Sequence, residues 1–208
     1  MELNFCYLGK SKAGKTSIIR YLFDDCKRKD TLTLPETTER VTESYESGLL
    51  KINNTEIPGK YSSLNEPSLN NILVEQHAFI YVHDLKFNEN QTNASQNQLQ
   101  EFIKQIFNKN SQARLYIFFH QSDLDFLYHK SRVNESIKVF KKRFENYIKE
   151  QYDEWKIISE RCYYKKTSIY DYSINNGKLN SNKRCHFQHL DKKTTKALSN
   201  VLKDHKLL

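Results

Sequence analysis

Apolar residues recur along the chain with two different periods, and segments with each period follow one another from the N-terminus. Leu3, Phe5 and Tyr7 alternate along a first predicted strand, and residues 14–25 then carry apolar side chains at the spacing of one helical face. Strand patterns that alternate with helix patterns are typical of an α/β domain with a mostly parallel sheet. We therefore expect a three-layer fold, in which a six-stranded, mostly parallel sheet has helices on both faces.

The same patterns place the remaining elements. The later strands are predicted at residues 41–45, 49–57, 78–84, 114–120 and 162–166, and the first two of these form a hairpin. The later helices are predicted at residues 67–73, 99–107, 133–148 and 197–202. Polar composition predicts loops at 26–40 and 88–98, and an insertion at 172–190 before the last helix. Residues 1–208 are expected to form a single domain of ordinary size.

The composition favours a globular protein over a disordered or membrane-spanning one. Hydrophobic residues make up 38% of the chain, and no apolar run reaches the roughly 18 residues of a membrane span. The short apolar run at the N-terminus lacks a basic flank and a cleavage site, so it predicts a strand and not a signal peptide. The four cysteines form no Cys-x-x-Cys pair, which disfavours a zinc site and favours a cytoplasmic location. No lipidation motif is visible, so any membrane contact is expected only through partners.

The formal net charge of +8 raises the question of a nucleic-acid partner. The most basic helical stretch, residues 130–150, interleaves Glu135, Glu145 and Glu150 with its lysines and arginines. A face of mixed charge is the usual solvent side of a helix. We therefore expect no nucleic-acid binding.

A glycine-rich motif follows the first predicted strand. Gly9, Gly14, Lys15 and Thr16 satisfy the pattern Gly-x-x-x-x-Gly-Lys-Ser/Thr. Such a loop turns its N–H groups towards phosphate oxygens, its lysine neutralises the β- and γ-phosphates, its hydroxyl ligates Mg²⁺, and the next helix adds its dipole. The predicted phosphate-binding residues are Gly9, Lys10, Ser11, Lys12, Ala13, Gly14, Lys15, Thr16 and Ser17.

Three downstream stretches resemble the Rag/Gtr branch of Ras-like small GTPases. "DTLTLPETTERV" (30–41) looks like that family's first switch, and "FFHQSDL" (118–124) is similar to its guanine-reading His-Lys-x-Asp segment. "KTSIYDYSI" (166–174) matches the segment that packs against the base from the other side. The resemblance covers roughly residues 2–175 and implies a P-loop G domain that binds GTP or GDP with Mg²⁺.

The resemblance also implies roles for individual residues. Lys15 would hold the β- and γ-phosphates, Thr16 would ligate Mg²⁺, and Thr38 would be the switch threonine, with Thr37 as the adjacent alternative. Asp123 would accept hydrogen bonds from the ring N–H and the amino group of guanine. The other residues expected to contact the nucleotide are Gly59, His120, Gln121, Ser168 and Ile169.

The second switch departs from the family pattern Asp-x-Pro-Gly-Gln, because this chain has Glu56-Ile57-Pro58-Gly59-Lys60. Glu56, the expected third metal residue, is one methylene longer than aspartate, and Mg²⁺ demands near-ideal octahedral geometry. Lys60 replaces the glutamine that orients the attacking water, so hydrolysis is expected to be slow or absent. Gln121 replaces the lysine whose stem spans the base, which predicts weakened nucleotide affinity.

These features predict a GTP/GDP switch that acts through its switch loops on regulatory and effector proteins. Family analogy places it in amino-acid signalling to the TOR kinase, at the lysosomal or vacuolar membrane, and implies pairing with another Rag-like GTPase. The chain ends near the final helix of the G domain, so we expect it to lack the family's C-terminal roadblock domain. The alternative is a pseudo-GTPase that serves as a scaffold without nucleotide cycling. A P-loop kinase is a weaker alternative, because no arginine-rich lid is visible.

Overall fold

A computed structural model of the chain describes most of its residues. The described residues are 2–24, 34–47, 49–61, 67–85, 89–120, 130–167, 173–175, 178–180, 199–200 and 203. The strands are β1 (Glu2–Leu8), β2 (Val41–Ser47), β3 (Leu50–Glu56), β4 (Ala78–Asp84), β5 (Arg114–His120), β6 (Cys162–Lys166), β7 (Ser173–Asn175) and β8 (Lys178–Asn180). The helices are α1 (Lys15–Phe23), α2 (Pro67–Glu75), α3 (Glu89–Lys109), α4 (Lys130–Gln151) and α5 (Trp155–Glu160).

The main sheet has six strands in the order β2-β3-β1-β4-β5-β6. β2 is antiparallel to β3, and every other neighbouring pair is parallel. The predicted hairpin is confirmed, since Ser47 pairs with Leu50 beside the turn. The predicted six-stranded, mostly parallel sheet is confirmed as well.

Helices cover both faces of this sheet. On one face, Phe5 and Val82 pack with Ile18 and Ile19 of α1 in a buried cluster. On the other face, α3 and α4 contribute the apolar residues that the sequence pattern predicted. Those residues are Leu99, Phe102, Ile103, Ile106, Phe107, Ile137, Phe140, Phe144 and Ile148. The expected three layers are therefore confirmed.

The prediction of a loop at residues 88–98 was wrong, because α3 already begins at Glu89. The polar composition of this segment hides the fact that three of its side chains, Ser95, Gln96 and Gln98, are buried. Burial is tolerated because they find hydrogen-bond partners: the Tyr81 hydroxyl, for example, lies 2.8 Å from Ser95 Oγ. Buried polar groups that are paired in this way do not prevent a helix from packing.

Two further elements were not expected from the sequence. The short helix α5 follows α4, and β7 and β8 form a separate two-stranded antiparallel sheet inside the polar insertion. The dipeptide Asn176-Gly177 between these strands is the sequence signal for such a hairpin. Within the predicted last helix, residues 199 and 200 are helical, and the other predicted positions lie outside the described residues. In the part of the chain that the structure describes, no helix is long and apolar enough to cross a bilayer.

Candidate functional site

The strand order creates a crevice at the carboxyl end of β1. The chain passes from β1 through α1 and β2 to β3 on one side, whereas β4 lies on the other side. In open α/β sheets, ligands bind at such a point, where the strand order reverses. The glycine motif lies there, since β1 ends at Leu8 and α1 begins at Lys15.

The loop between β1 and α1 has the backbone of a phosphate cradle. Gly9, Lys12 and Gly14 have positive φ angles of 130°, 62° and 98°. A Cβ atom on Gly9 would lie 2.4 Å from Val82 O, and one on Gly14 would lie 2.4 Å from His120 Cδ2. Both positions therefore require glycine for space as well as for conformation. The remaining motif residues, Lys10, Ser11, Ala13, Lys15, Thr16 and Ser17, lie in this loop and in the first turn of α1.

Lys15 is buried, and its ammonium group turns back over the loop. Nζ donates hydrogen bonds of 3.1 Å to the carbonyl oxygens of Gly9 and Lys10, and lies 3.9 Å from Glu56 Oε1. Burial lowers the pKa of Lys15, and the carboxylates of Glu56 and Glu36 partly oppose this. The protein alone thus compensates the charge incompletely, so an anion held in the loop would stabilise the ammonium form.

A cluster of hydroxyl and carboxylate oxygens lies beside this lysine. Thr16 Oγ1 is 2.8 and 2.9 Å from the two carboxylate oxygens of Glu56, and 2.9 Å from Thr37 Oγ1. Thr16 donates to the carboxylate, so the Thr37 hydroxyl donates to Thr16. Three oxygen-bearing side chains from α1, the first switch and β3 therefore converge on one point. This chemistry fits Mg²⁺, which prefers a few protein oxygens and completes its shell with phosphate and water.

The two candidate threonines of the first switch lie in different environments. Thr37 is half-buried against Thr16, whereas Thr38 is exposed. Both threonines line a cavity of about 300 Å³ between the first switch, α1 and the β2–β3 hairpin, where Thr37 also contacts Thr16. The structure therefore brings Thr37, the alternative to Thr38 in the sequence analysis, to the oxygen cluster.

The second switch contacts the phosphate loop directly. A Cβ atom on Gly59 would lie 1.8 Å from Ser11 N, so the backbones of the two segments are in close contact. Lys60 next to it is exposed, and its Nζ lies 5.4 Å from the centre of the Tyr61 ring. Gly59 therefore lies against the phosphate loop, and its contact with a nucleotide stays a prediction.

His120 joins the phosphate loop to the end of β6. Its buried ring packs against Gly14, and Nδ1 is 3.1 Å from the hydroxyl of Thr167. Burial lowers the pKa of His120 to about 4, so the ring is neutral at pH 7. Sequence reasoning missed the partner Thr167, which comes from 47 residues further along the chain. The predicted base-contacting residues Gln121, Asp123, Ser168 and Ile169 lie outside the described residues.

Comparison with known proteins supports the interpretation of this geometry. A family model described as the Gtr1/RagA G protein conserved region matches residues 5–177. Among curated proteins, no match was found. The matched region contains the phosphate loop, both switch segments and the strands that carry them. The chain therefore belongs to the Gtr1/RagA family of G proteins, the GTP-binding small GTPases of Rag/Gtr type.

Proposed function

We propose that this chain is a guanine-nucleotide-dependent switch whose two switch segments, residues 30–41 and 56–61, select its protein partners. One observation carries the proposal: Thr37 from the first switch and Glu56 from the end of β3 meet at Thr16, directly after the phosphate loop. A metal ion and a terminal phosphate at this point would bind both segments, and their loss would release both. Ordering of loops by the γ-phosphate and Mg²⁺ is the usual basis of GTPase switching.

The nucleotide would be held from both ends. Lys15 and the loop amides would bind the β- and γ-phosphates, and Thr16, Glu56 and one of the two switch threonines, Thr37 or Thr38, would hold Mg²⁺, which neutralises phosphate charge when bound. At the other end, Asp123 would select guanine by accepting two hydrogen bonds from the base, with Gln121, Ser168 and Ile169 beside it. A carboxylate facing two donors discriminates strongly, because adenine would leave it poorly paired.

Hydrolysis would be slow or absent. Lys60 stands where a glutamine would orient the attacking water, and its ammonium group lies over the Tyr61 ring. An ammonium group donates hydrogen bonds but accepts none, so it cannot act as a base or hold the water by its lone pairs. The chain would therefore remain loaded for long periods unless a partner completes the site.

By family analogy, the switch would act in amino-acid signalling to the TOR kinase. It would reach the lysosomal or vacuolar membrane through its partners, and it would pair with another Rag-like GTPase. These steps rest on the family relationship and on no contact in the structure.

A second candidate function is that of a pseudo-GTPase scaffold. The favouring observation is that Thr16 is hydrogen-bonded to both Thr37 and Glu56 through protein atoms alone. Such a cluster would hold the first switch in one position without any nucleotide cycle.

One set of measurements tests both functions. The chain would be purified, any co-purifying nucleotide identified by chromatography, and the binding of labelled GTP, GDP and ATP measured with Mg²⁺. Binding of ATP as tight as that of GTP would refute guanine selection. For a switch, replacement of GDP by GTP should change the affinity for a partner, whereas for a scaffold the affinity should stay the same.

The variant Asp123→Asn tests base recognition directly. Replacing the carboxylate by an amide substitutes a donor for one acceptor, so preference should move from guanine to xanthine nucleotides. Competition between labelled GTP and unlabelled XTP measures this change. An unchanged preference would show that the side chain does not face the base.

A further inference from the structure

One buried polar side chain of α3 is hydrogen-bonded to the second switch. Gln98 is buried, and its Nε2 donates a hydrogen bond of 2.7 Å to Tyr61 O and lies 3.5 Å from Gly59 O. The Tyr81 hydroxyl lies 3.4 Å from Gln98 Oε1, but its single proton has a closer acceptor in Ser95 O at 2.7 Å. One glutamine of α3 thus reaches two backbone carbonyls of the second switch.

The turn that Gln98 contacts, residues 59–61, is the part of the second switch that lies on the phosphate loop. Gly59 approaches Ser11 N so closely that a Cβ atom would lie 1.8 Å away. The Lys15 ammonium lies on the same stretch of loop, bonded to Lys10 O at 3.1 Å. Since this lysine reaches the β- and γ-phosphates in such loops, a terminal phosphate would lie next to the turn.

We propose that Gln98 is a positioning residue that holds the 59–61 turn on the phosphate loop and thereby sets how strongly the chain distinguishes GTP from GDP. The first part stands on the hydrogen bonds alone, and the second part rests on the proposed function. A turn held in place beforehand loses little conformational freedom when a terminal phosphate binds. GDP, which has no such phosphate, gains nothing from this arrangement.

Gln96 offers a matched control. It lies on the same helix, is buried to a similar degree, and donates its amide to a backbone carbonyl, Phe140 O at 3.4 Å. That carbonyl belongs to α4 and not to the second switch. Gln96→Leu therefore repeats the loss of a buried amide and leaves the 59–61 turn untouched.

Limited proteolysis tests the first part without any nucleotide. Trypsin cleaves after Lys60, which is exposed in the turn, and mass spectrometry measures the rate of this one cleavage. Gln98→Leu should accelerate it about 3- to 10-fold, because one hydrogen bond is worth roughly 1 kcal/mol and native-state cleavage follows the open population. Gln96→Leu should leave this rate at the wild-type value. An equal rate in wild-type and Gln98→Leu, or equal acceleration in both variants, would overturn the proposal.

Gln98→Glu protects the test against a folding defect, because glutamate has the same shape as glutamine. Its carboxylate would face two carbonyl oxygens without a proton to donate, so the turn should be released at least as strongly as in Gln98→Leu. Circular dichroism confirms that each variant folds.

Nucleotide binding tests the second part. Gln98→Leu should weaken the binding of labelled GTP by about 3- to 10-fold and leave the affinity for GDP unchanged. Gln96→Leu should preserve the ratio of the two affinities. Equal weakening of GTP and GDP would overturn the role in discrimination. If the wild-type chain binds neither nucleotide, the proposed function fails and the discrimination role fails with it, while cleavage at Lys60 still decides whether Gln98 holds the turn.

Discussion

Acidification from pH 7 to pH 5 should destabilise the chain through two buried histidines. Burial lowers the pKa of His83 to about 4, with a smaller contribution from the nearby Lys10 charge, and burial alone lowers that of His120 to about 4. In the unfolded chain each ring titrates near its ordinary value of about 6.5. The stability that the neutral rings contribute is therefore complete above pH 6.5 and is lost as the pH falls from there towards 4.

The magnitude follows from the difference in pKa. At pH 5 an unfolded histidine is almost fully protonated, whereas the buried ring stays mostly neutral. At about 1.4 kcal/mol per pKa unit, protonation of each histidine in the unfolded chain lowers the free energy of unfolding at pH 5 by about 2 kcal/mol. The pair together lowers it by about 4 kcal/mol. That loss is a large part of the roughly 5–15 kcal/mol typical of a folded domain.

Urea unfolding at pH 7, 6 and 5 measures this loss, followed by circular dichroism and by the fluorescence of Trp155, the single tryptophan. His83→Gln and His120→Gln keep a polar group near their partners Ser95 and Thr167. Each single variant should remove about half of the pH dependence, and the double variant should remove most of it. Equal unfolding free energies of the wild-type chain at pH 7 and pH 5 would refute the reasoning, as would a double variant that is as sensitive to pH as the wild type.

Three other predictions test the site. Thr37→Ala should weaken Mg²⁺-dependent GTP binding by about 5-fold, which corresponds to the loss of one hydrogen bond. Thr38→Ala should weaken it less. Titration with labelled GTP measures both affinities, and a larger loss in Thr38→Ala would contradict the prediction. Gly14→Ala should lower the unfolding free energy by about 1–3 kcal/mol because of its positive φ and its contact with His120; an unchanged urea midpoint would argue against a tight cradle. Lys60→Gln should raise the single-turnover rate of phosphate release from GTP, and an unaltered rate would mean that another residue or a partner limits hydrolysis.

Local pattern predicted most of the fold because it reflects burial. β4 and β5 are continuous apolar runs, and the apolar spacing in the second half of α3 matches its buried face. The first half of α3 escaped prediction because the buried side chains described there, Ser95, Gln96 and Gln98, are polar. Ser95 is stabilised by Tyr81 and His83, partners from β4 that no local pattern reveals.

The phosphate loop and the family resemblance follow from short stretches of sequence. Gly9, Gly14, Lys15 and Thr16 lie within one short stretch whose geometry depends on local backbone conformation and on the first turn of the next helix. The motif requires glycine at positive φ and a lysine at a helix N-terminus. Both requirements are local, so a short sequence motif is enough to predict them.

The residues that gather around this phosphate loop are set by long-range packing. The parallel pairing of β1 with β3 sets Tyr7 beside Glu56, which delivers the carboxylate to Thr16. The contact of Thr37 with Thr16, and the hydrogen bond from Gln98 to the second switch, join segments 21 and 37 residues apart in the chain. Contacts over such separations depend on strand order and on packing across the sheet, which no single stretch of sequence contains.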